Sequence, residues 1–334
     1  MKSKKTICVL GSGAWGAVLA SLLADKGNKV TIYGINEVEI NEINTQHTNE
    51  KFLKNFKIND KITATLCFEK AVENAEIIVF AVPSFAIKET AKKLANYVKK
   101  DTIIVNVAKG FDKETKKTLG ETLRENLPKN CRDKVVSLLG PSFAEEVAEK
   151  QFTAITASAE NEEIAKEIQS VFSNDYFRVY TNQDTIGTEI CSSLKNVIAL
   201  ASGILDGMGY KVNTRSALIT RGMAEIKRFV IHFNGKEETC FSLAGIGDLI
   251  LTCSSKTSRN YTAGYTIGSR SLEYFKDTNT KTVEGIFATE IAYEIAKKEN
   301  IYAPIISAIY NVIFNGKDPK KEIENLMKST LKGE

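Results

Sequence analysis

The first half of the chain alternates between two hydrophobic patterns. Short apolar runs rich in β-branched residues predict strands, and segments with apolar residues at i, i+3 and i+4 predict helices, as for 18–23 after the first run. The predicted strands are Thr6–Leu10, Lys29–Tyr33, 61–65, 77–82, 102–107, 135–139, 152–158 and 176–181. Uniformly apolar strands that alternate with helices indicate an α/β domain with a mostly parallel, doubly wound sheet.

The strand pattern stops near residue 185. Residues 189–234 and 282–330 have apolar positions at helical spacing, and the polar segments 278–281 and 315–321 interrupt them. This pattern predicts an all-α second domain. A chain of 334 residues has room for two domains of ordinary size. We therefore expect an α/β domain over residues 1–187 and a helical domain over residues 188–334.

Composition narrows the functional classes. The net charge is only +4 in a chain with 43% apolar residues, which argues against a nucleic-acid partner. No apolar run approaches the ~20 residues that span a bilayer, so no membrane insertion is expected. The segment Met1–Lys5 is basic and runs directly into a short predicted strand, and it lacks the long apolar stretch of a secretory signal. We therefore expect a cytoplasmic protein.

Cysteine and histidine usage limits the possible chemistry. The six cysteines are scattered and none forms a C-x-x-C pair, so free thiols are expected rather than disulfides or a metal site. The chain has only two histidines. Acid–base chemistry would therefore fall to lysine, aspartate or glutamate.

The segment GSGAWG, residues 11–16, fits the G-x-G-x-x-G pattern between a predicted strand and a predicted helix. Gly11 allows a tight turn, Gly13 lets the backbone approach a pyrophosphate, and Gly16 lets helix and strand pack closely. This context predicts dinucleotide binding at a helix N-terminus. The second strand ends in TIYGINE, without an acid directly at its end and without an arginine or lysine, which leaves NAD and NADP both open.

Three further motifs follow predicted strands, at the edge of a parallel sheet where ligands bind. They are AVPSFA (81–86), NVAKG (106–110) and GPSFAEE (140–146). Lys109 is a candidate for contact with an anion or a substrate oxygen, although an exposed loop lysine is an equally good interpretation. Ser142 is expected to cap a helix that starts near Phe143, a role compatible with ligand contact.

Lys195 lies in the segment CSSLKNVIALASGIL, which is apolar almost all round its helix. A buried ammonium group is costly, so it either loses its proton or pairs with a carboxylate. Both outcomes suit acid–base catalysis. The alternative is a lysine whose head group reaches the surface. The neighbouring Asn196 could hydrogen-bond a substrate hydroxyl or hold the lysine.

Two more segments carry candidate groups. Asp248, in GIGDLILTC, is either a helix cap or the partner of the lysine. Arg259 lies between Ser258 and Asn260, and its guanidinium suits a phosphate dianion. Arg215 and Arg221 are better explained as surface or interdomain ion pairs.

Taken together, these motifs resemble one family. GSGAWG, AVPS, AKG, GPSFAEEVA, SLKNVIALASGILDGMG, NTRSALITRGMAE, LAGIGDLILTC, SRN and VEG stand in the order seen in the bacterial-type soluble NAD(P)-dependent sn-glycerol-3-phosphate dehydrogenases. The resemblance runs from residue 7 to about residue 316. Single motifs are loose, but together they are specific.

The resemblance implies an NAD(P)-binding Rossmann domain and a helical substrate domain. It implies reversible reduction of dihydroxyacetone phosphate to sn-glycerol 3-phosphate for glycerophospholipid synthesis, with the reduced cofactor used in the biosynthetic direction. The implied catalytic residue is Lys195, and the implied substrate positions are Lys109, Gly140, Ser142, Lys195, Asp248, Ser258, Arg259 and Asn260. The implied cofactor positions are Gly11, Gly13, Ala14, Trp15, Gly16, Lys109, Ala144, Arg259, Thr282 and Glu284.

The sequence departs from the family at three positions. Ile35 stands where a basic or imidazole side chain is common, Ala108 where threonine is common, and Thr282 where an aliphatic residue is common. The first bears on the choice between NAD and NADP. A homodimer fits the apolar surface of the helical half, without a direct signal for one.

Two alternatives remain at this point. One is a related lysine-dependent hydroxyacid dehydrogenase, whose best substrate would lack a phosphate. The other is a non-catalytic dinucleotide sensor whose helical half binds a protein or nucleic acid. A sensor would not need Lys195, Asp248 and Arg259 together.

Overall fold

The structure is a computed structural model that describes residues 4–328. It divides into two compact units, here called the N-terminal unit (residues up to Asp112 and Lys117–Thr185) and the C-terminal unit (Lys113–Lys116 and residues from Ile186 on). The functional division that we expected after residue 187 stays a prediction. The ends of those expected domains, 1–3 and 329–334, lie outside the described residues.

The N-terminal unit is built on one sheet. The eight predicted strands are all present, some with shifted ends, which confirms that prediction. They are β1 (Thr6–Leu10), β2 (Lys29–Tyr33), β3 (Thr63–Thr65), β4 (Ile77–Phe80), β5 (Ile103–Asn106), β6 (Val135–Leu139), β7 (Thr153–Ser158) and β8 (Phe177–Asn182). Their order is β3-β2-β1-β4-β5-β6-β7-β8, and only the β6–β7 pairing among the described strands is antiparallel.

Helices cover both faces of this sheet. They are α1 (Ala14–Asp25), α2 (Glu37–Gln46), α3 (Phe68–Val72), α4 (Ile87–Leu94), α5 (Leu119–Asn126), α6 (Ala144–Ala148) and α7 (Glu162–Phe172). Ile7 and Val9 of β1 belong to one buried cluster with Leu19 of α1. Cys8 and Leu10 belong to a second cluster on the other face. Because a strand alternates its side chains between faces, these two cores confirm the doubly wound arrangement.

The strand order places a ligand edge beside β1. This strand pairs with β2 on one side and with β4 on the other, so the chain reverses its winding direction there. In open parallel sheets, ligands bind outside the carboxyl ends of the strands at such a reversal point. The glycine loop that follows β1 lies at this point.

The C-terminal unit is helical. Its helices are α8 (Thr185–Gly207, whose first residue belongs to the N-terminal unit), α9 (Val212–His232), α10 (Asp248–Ser254), α11 (Arg259–Ser269), α12 (Leu272–Thr278), α13 (Glu284–Lys298), α14 (Pro304–Asn315) and α15 (Pro319–Met327). The described part of the chain has no strand after Asn182, as predicted. None of the helices between residues 4 and 328 is long and apolar enough to cross a bilayer.

Helices α8 and α11 cross in very close contact. A Cβ atom on Gly203 of α8 would collide with the backbone of Tyr261 in α11, and one on Gly264 of α11 would collide with the carbonyl of Leu200 in α8. Gly207 and Gly268 meet the opposite helix in the same way. Four glycines therefore let the two backbones touch, which fixes α11 against the helix that carries Lys195.

All six cysteines are free thiols, which confirms the prediction from their spacing. Five are buried, and Cys67 is half-buried. Burial raises the pKa of Cys8 and of Cys253 to about 12, so both stay protonated at neutral pH. A protonated, buried thiol is a packing group rather than a nucleophile.

Candidate active site

The glycine loop after β1 has the geometry that the sequence pattern predicts. Gly11 has a φ of +120°, and a Cβ atom there would collide with the carbonyl of Ala81. A Cβ atom on Gly16 would collide with the carbonyl of Gly11. At Gly13, by contrast, apart from Gly13 itself and its chain neighbours, no atom of the described residues lies within 4 Å of the position a Cβ would take. The loop is thus packed on one side and open at Gly13.

The open side of the loop fits a pyrophosphate. Gly13 is the N-cap of α1, and among the described residues no side chain caps this helix and no acid lies in its first turn. The backbone N–H groups at the start of a helix, together with its dipole, favour an anion. Gly11, Gly13, Ala14, Trp15 and Gly16 are therefore the residues that would hold a dinucleotide.

Three predicted substrate residues gather where β5 and β6 end. The Lys109 ammonium donates a hydrogen bond to the carbonyl of Gly140, with 3.1 Å between Nζ and O. The Ser142 hydroxyl donates to the same carbonyl over 3.4 Å. Because β5 and β6 are neighbouring parallel strands, their following loops share one edge. Ala144, a predicted cofactor position, begins α6 at this edge.

The prediction that Ser142 caps α6 is wrong. Phe143 is the N-cap residue of α6, and this N-cap has no side-chain capping hydrogen bond. The hydroxyl of Ser142 donates its hydrogen to the carbonyl of Gly140. Glu145 does lie in the first turn, as expected.

Lys195 is buried in the middle of α8, with 5% of its surface exposed. Its Nζ donates to Oδ1 of Asp248 at 2.6 Å and to Oγ1 of Thr252 at 2.6 Å. Of the outcomes considered from sequence, the structure shows pairing with a carboxylate. A lysine that reaches the surface is excluded.

Asp248 is the partner of the lysine rather than a helix cap. It is the first residue of α10, with Gly247 at the N-cap, and its side chain is fully buried. A π-helical turn, Leu243–Gly247, leads into α10. Gly245 in that turn has φ −89° and ψ −108°, and a Cβ there would collide with the carbonyl of Cys240. This turn aims the first side chain of α10 at α8.

Thr252 is a functional candidate that the sequence analysis missed. It accepts a hydrogen bond from Lys195 and donates its own hydroxyl hydrogen to the backbone carbonyl of Asp248 over 2.6 Å. Its spacing of four residues from Asp248 puts both side chains on one helix face, which was a usable signal. Lys195, Asp248 and Thr252 form what we call the lysine cluster.

A second polar network joins three helices near the lysine cluster. Asn260 donates from Nδ2 to Oδ1 of Asn196 over 2.8 Å, and the N–H of Gly285 donates to Oδ1 of Asn260 over 2.8 Å. Asn196 follows Lys195 on α8, Asn260 lies on α11, and Gly285 lies on α13. The network thus holds the starts of α11 and α13 against α8.

The predicted phosphate-binding residues lie at the start of α11. Ser258 is the N-cap and its hydroxyl accepts from the N–H of Tyr261 over 3.2 Å. Arg259 is the first helical residue and is exposed. A cation at a helix N-terminus is electrostatically unfavourable, so an anion bound there would be doubly stabilised, by the guanidinium and by the helix.

The remaining predicted residues are more scattered. Glu284 begins α13 and is half-buried, and Thr282 is exposed just before that helix. Arg215 is half-buried beside the hydroxyl of Tyr261, and Arg221 is exposed. Lys109, Gly140 and Ser142 belong to the N-terminal unit, and the lysine cluster belongs to the C-terminal unit.

Comparison with known families agrees with these motifs. Residues 6–165 match the family described as NAD-dependent glycerol-3-phosphate dehydrogenase N-terminus. Residues 184–324 match the corresponding C-terminus family. The two matches together cover most of the chain.

Individual relatives give the same result. The chain is 41% identical over 332 residues to glycerol-3-phosphate dehydrogenase [NAD(P)+] of Limosilactobacillus reuteri, covering 98% of each chain. It is 44% identical over 329 residues to the enzyme of that name from Clostridium botulinum, again covering 98% of each. The structure superposes on the glycerol-3-phosphate dehydrogenase of Coxiella burnetii with a TM-score of 0.90 and 32% identity, covering 97% of this chain and 99% of that one.

These matches decide against the hydroxyacid dehydrogenase and the non-catalytic sensor as alternatives. They also confirm the resemblance that the motifs indicated. The chain belongs to the NAD(P)-dependent glycerol-3-phosphate dehydrogenase family of oxidoreductases.

Proposed function

We propose that this protein reduces dihydroxyacetone phosphate reversibly to sn-glycerol 3-phosphate, with Lys195 as the catalytic acid. The observation that carries the proposal is the lysine cluster, in which a buried ammonium is held by Asp248 and Thr252 over 2.6 Å each. A carboxylate partner favours the charged form of a lysine, which is the form that can give up a proton. The product would serve glycerophospholipid synthesis.

Each unit has its own role in this proposal, cofactor binding for the N-terminal unit and proton donation for the C-terminal unit. The N-terminal unit holds the dinucleotide through Gly11, Gly13, Ala14, Trp15 and Gly16, with Ala144 and Lys109 nearby on the same sheet edge. The C-terminal unit provides the proton donor. Arg259, Thr282 and Glu284 contribute further cofactor contacts, as the resemblance implies.

The chemical step needs one hydride and one proton. A reduced nicotinamide dinucleotide held by the glycine loop, residues 11–16, would supply the hydride for the carbonyl carbon of the ketone. Lys195 polarises the carbonyl oxygen through one N–H, transfers that proton to the oxygen as negative charge develops, and is left as a neutral amine. In the reverse direction the neutral amine accepts the proton of the substrate hydroxyl.

Other residues of the chain position the substrate. Arg259, with Ser258 and Asn260 at the start of α11, binds the phosphate dianion by charge-assisted hydrogen bonds. Lys109, Gly140 and Ser142 contact the rest of the small molecule. Asp248 and Thr252 orient Lys195, because two of its three N–H bonds are directed at their oxygens.

Location and assembly belong to the same proposal. We place the enzyme in the cytoplasm, where its nicotinamide cofactors and its phosphorylated substrate occur, and without a nucleic-acid partner. We expect a homodimer formed through apolar surface of the helical half. Light scattering during size-exclusion chromatography tests this, since a monomer at micromolar concentration would refute the dimer.

Initial-rate measurements test the proposed reaction. With NADH or NADPH, turnover of dihydroxyacetone phosphate should exceed turnover of dihydroxyacetone, which lacks the phosphate, and of a 2-keto acid, by several orders of magnitude. Equal or better turnover of either phosphate-free compound would contradict the proposal. The reverse reaction with sn-glycerol 3-phosphate and the oxidised cofactor serves as the second assay.

A further inference from the structure

The residues directly after β2 decide which dinucleotide a fold of this kind accepts. An acid near this position hydrogen-bonds the adenosine ribose of NAD, and an arginine accommodates the additional 2′-phosphate of NADP. In this chain the positions after β2 are Gly34, Ile35 and Asn36.

None of these three residues offers a cationic side chain to a phosphate. Gly34 has no side chain, and Ile35 is 87% exposed with an aliphatic side chain. Asn36 is the N-cap of α2, where its Oδ1 accepts from the N–H of Glu39 over 3.2 Å. The first exposed side chain after β2 is therefore apolar and uncharged.

A carboxylate lies directly against the glycine loop. Glu39, in the first turn of α2, is buried, and its Oε2 accepts a hydrogen bond from the hydroxyl of Ser12 over 2.7 Å. Asn49 fixes the same loop residue by donating to the carbonyl of Ser12. Because Ser12 gives its hydroxyl hydrogen to Glu39, that hydroxyl retains only acceptor lone pairs. A ribose hydroxyl can donate to such an oxygen, whereas a phosphate dianion cannot.

The charges around this edge disfavour a second phosphate. The other carboxylate oxygen of Glu39 pairs with the ammonium of Lys51 over 2.8 Å. Glu37, also in the first turn of α2, is exposed. Two carboxylates and one ammonium leave this group with one net negative charge, which repels a dianion.

We propose that this enzyme selects NADH over NADPH, and that Ile35 and Glu39 determine the selection. The proposal rests on the proposed function only in that the loop of residues 11–16 binds the dinucleotide. It concerns binding of the cofactor in the absence of the ketone, so it can be tested without turnover.

The test uses direct binding of NADH and NADPH to the full-length protein. Trp15 is the only tryptophan in the sequence and lies in the glycine loop, so quenching of its fluorescence reports binding, with calorimetry as the second readout. The wild type should bind NADH at least about tenfold more tightly than NADPH, the scale of one missing charged hydrogen bond. Equal dissociation constants for the two cofactors would overturn the proposal.

Two substitutions assign the selection to residues. Ile35→Arg should tighten NADPH binding by about tenfold or more, with a smaller change for NADH, because it adds the missing guanidinium. Glu39→Gln keeps an oxygen acceptor for Ser12 but removes the negative charge, and should tighten NADPH binding several-fold. Unchanged NADPH affinity in both variants would overturn the assignment.

A matched control separates local charge from net charge. Met327→Arg adds the same charge at a 79% exposed position in the C-terminal unit, and should leave both dissociation constants unchanged. Failure of this inference is also distinct from failure of the proposed function. Tight NADH binding without reduction of dihydroxyacetone phosphate refutes the function alone, whereas normal turnover with equal cofactor affinities refutes the selection alone.

Discussion

At the scale of single residues, the central feature is the buried pair of Lys195 and Asp248. Removing two charges from water costs several kcal/mol per ion, and their attraction often only balances that cost. Such a pair is therefore poor support for stability on its own. We attribute its position in α8 to proton transfer, for which a positioned ammonium in a dry environment is well suited.

Thr252→Val tests whether the third member of the lysine cluster positions Lys195. The substitution keeps the side-chain shape but removes the acceptor at 2.6 Å from Nζ. We expect kcat for dihydroxyacetone phosphate to fall about tenfold, the scale of one hydrogen bond, with KM little changed. Steady-state kinetics measured as a function of pH provide the readout, because loss of one hydrogen-bond partner of the ammonium also shifts the pH profile.

Two variants complete the Thr252 experiment. Thr252→Ser keeps the hydroxyl and should restore most of the turnover. An equal loss in the serine and valine variants would show that packing, rather than the hydrogen bond, is what Thr252 contributes.

The contacts of Lys195 were only partly predictable from the sequence. The apolar surroundings of Lys195 indicated a buried lysine, but a head group that reaches the surface stayed an open alternative, which the structure excludes. Whether Asp248 capped a helix or paired with the lysine stayed open, because 53 residues separate the partners and sequence spacing does not encode their approach. Thr252 was missed although its spacing of four residues from Asp248 placed both side chains on one helix face.

At the scale of elements, the crossing of α8 and α11 sets the positions of Lys195 and Arg259. Gly264→Ala would place a methyl group onto the carbonyl of Leu200. Overpacking a tight contact costs about 1–3 kcal/mol, and here backbone cannot yield easily, so we expect a loss at the upper end of that range. Thermal unfolding measures the loss, and reduced turnover should accompany it because the start of α11 moves.

Ser269→Ala is the matched control on the same helix. Ser269 is exposed, and its hydroxyl bonds only within α11, to the carbonyl of Tyr265 among the contacts described. Surface changes of this kind usually stay within about 0.5 kcal/mol. A Gly264→Ala protein as stable as the Ser269→Ala protein would contradict the close contact.

Elements were predicted well where a local pattern fixes them. β1 and β2 match the predicted ranges. β1 is an apolar run that is buried on both faces of the sheet, and in β2 the buried Val30 and Ile32 alternate with more exposed residues. The antiparallel pairing of β6 with β7 depends on a chain reversal that no local pattern specifies. The cap at Phe143 and the π-helical turn before α10 depend on tertiary contacts in the same way.

At the scale of the whole molecule, one buried carboxylate links stability to pH. Burial raises the pKa of Glu225 to about 7, partly offset by hydrogen bonds from the N–H groups of Ile305 and Ile306. The folded chain therefore holds this proton more tightly than the unfolded chain, whose glutamate titrates near its ordinary value of 4.5. The free energy of unfolding should fall by about 3 kcal/mol from this group as pH rises from about 4.5 to above 7.

Glu225→Gln isolates that contribution. A neutral side chain cannot ionise, so the variant should lose the fall in stability between pH 5 and 8, as measured by guanidinium-induced unfolding at each pH. Glu238→Gln, at an exposed position, is the control and should retain the wild-type pH dependence. Parallel curves for wild type and Glu225→Gln would show that Glu225 does not titrate in this range.

The architecture as a whole was predictable because its two halves use different hydrophobic periods. Strand and helix alternate up to Asn182, and helical spacing alone follows it in the described chain. The sequence alone shows that no arginine or lysine directly follows β2. It does not show the hydrogen bond between Ser12 and Glu39, which depends on the tertiary structure.

The most direct test of the account is the rate of dihydroxyacetone phosphate reduction by Lys195→Ala, measured with and without added ethylamine. We predict a loss of about 10²–10⁴-fold, the usual contribution of a positioned acid, and partial recovery in proportion to the amine concentration. Cofactor binding, followed through Trp15, should persist and report an intact fold. Turnover near the wild-type rate without amine would contradict the assignment of Lys195 as the proton donor.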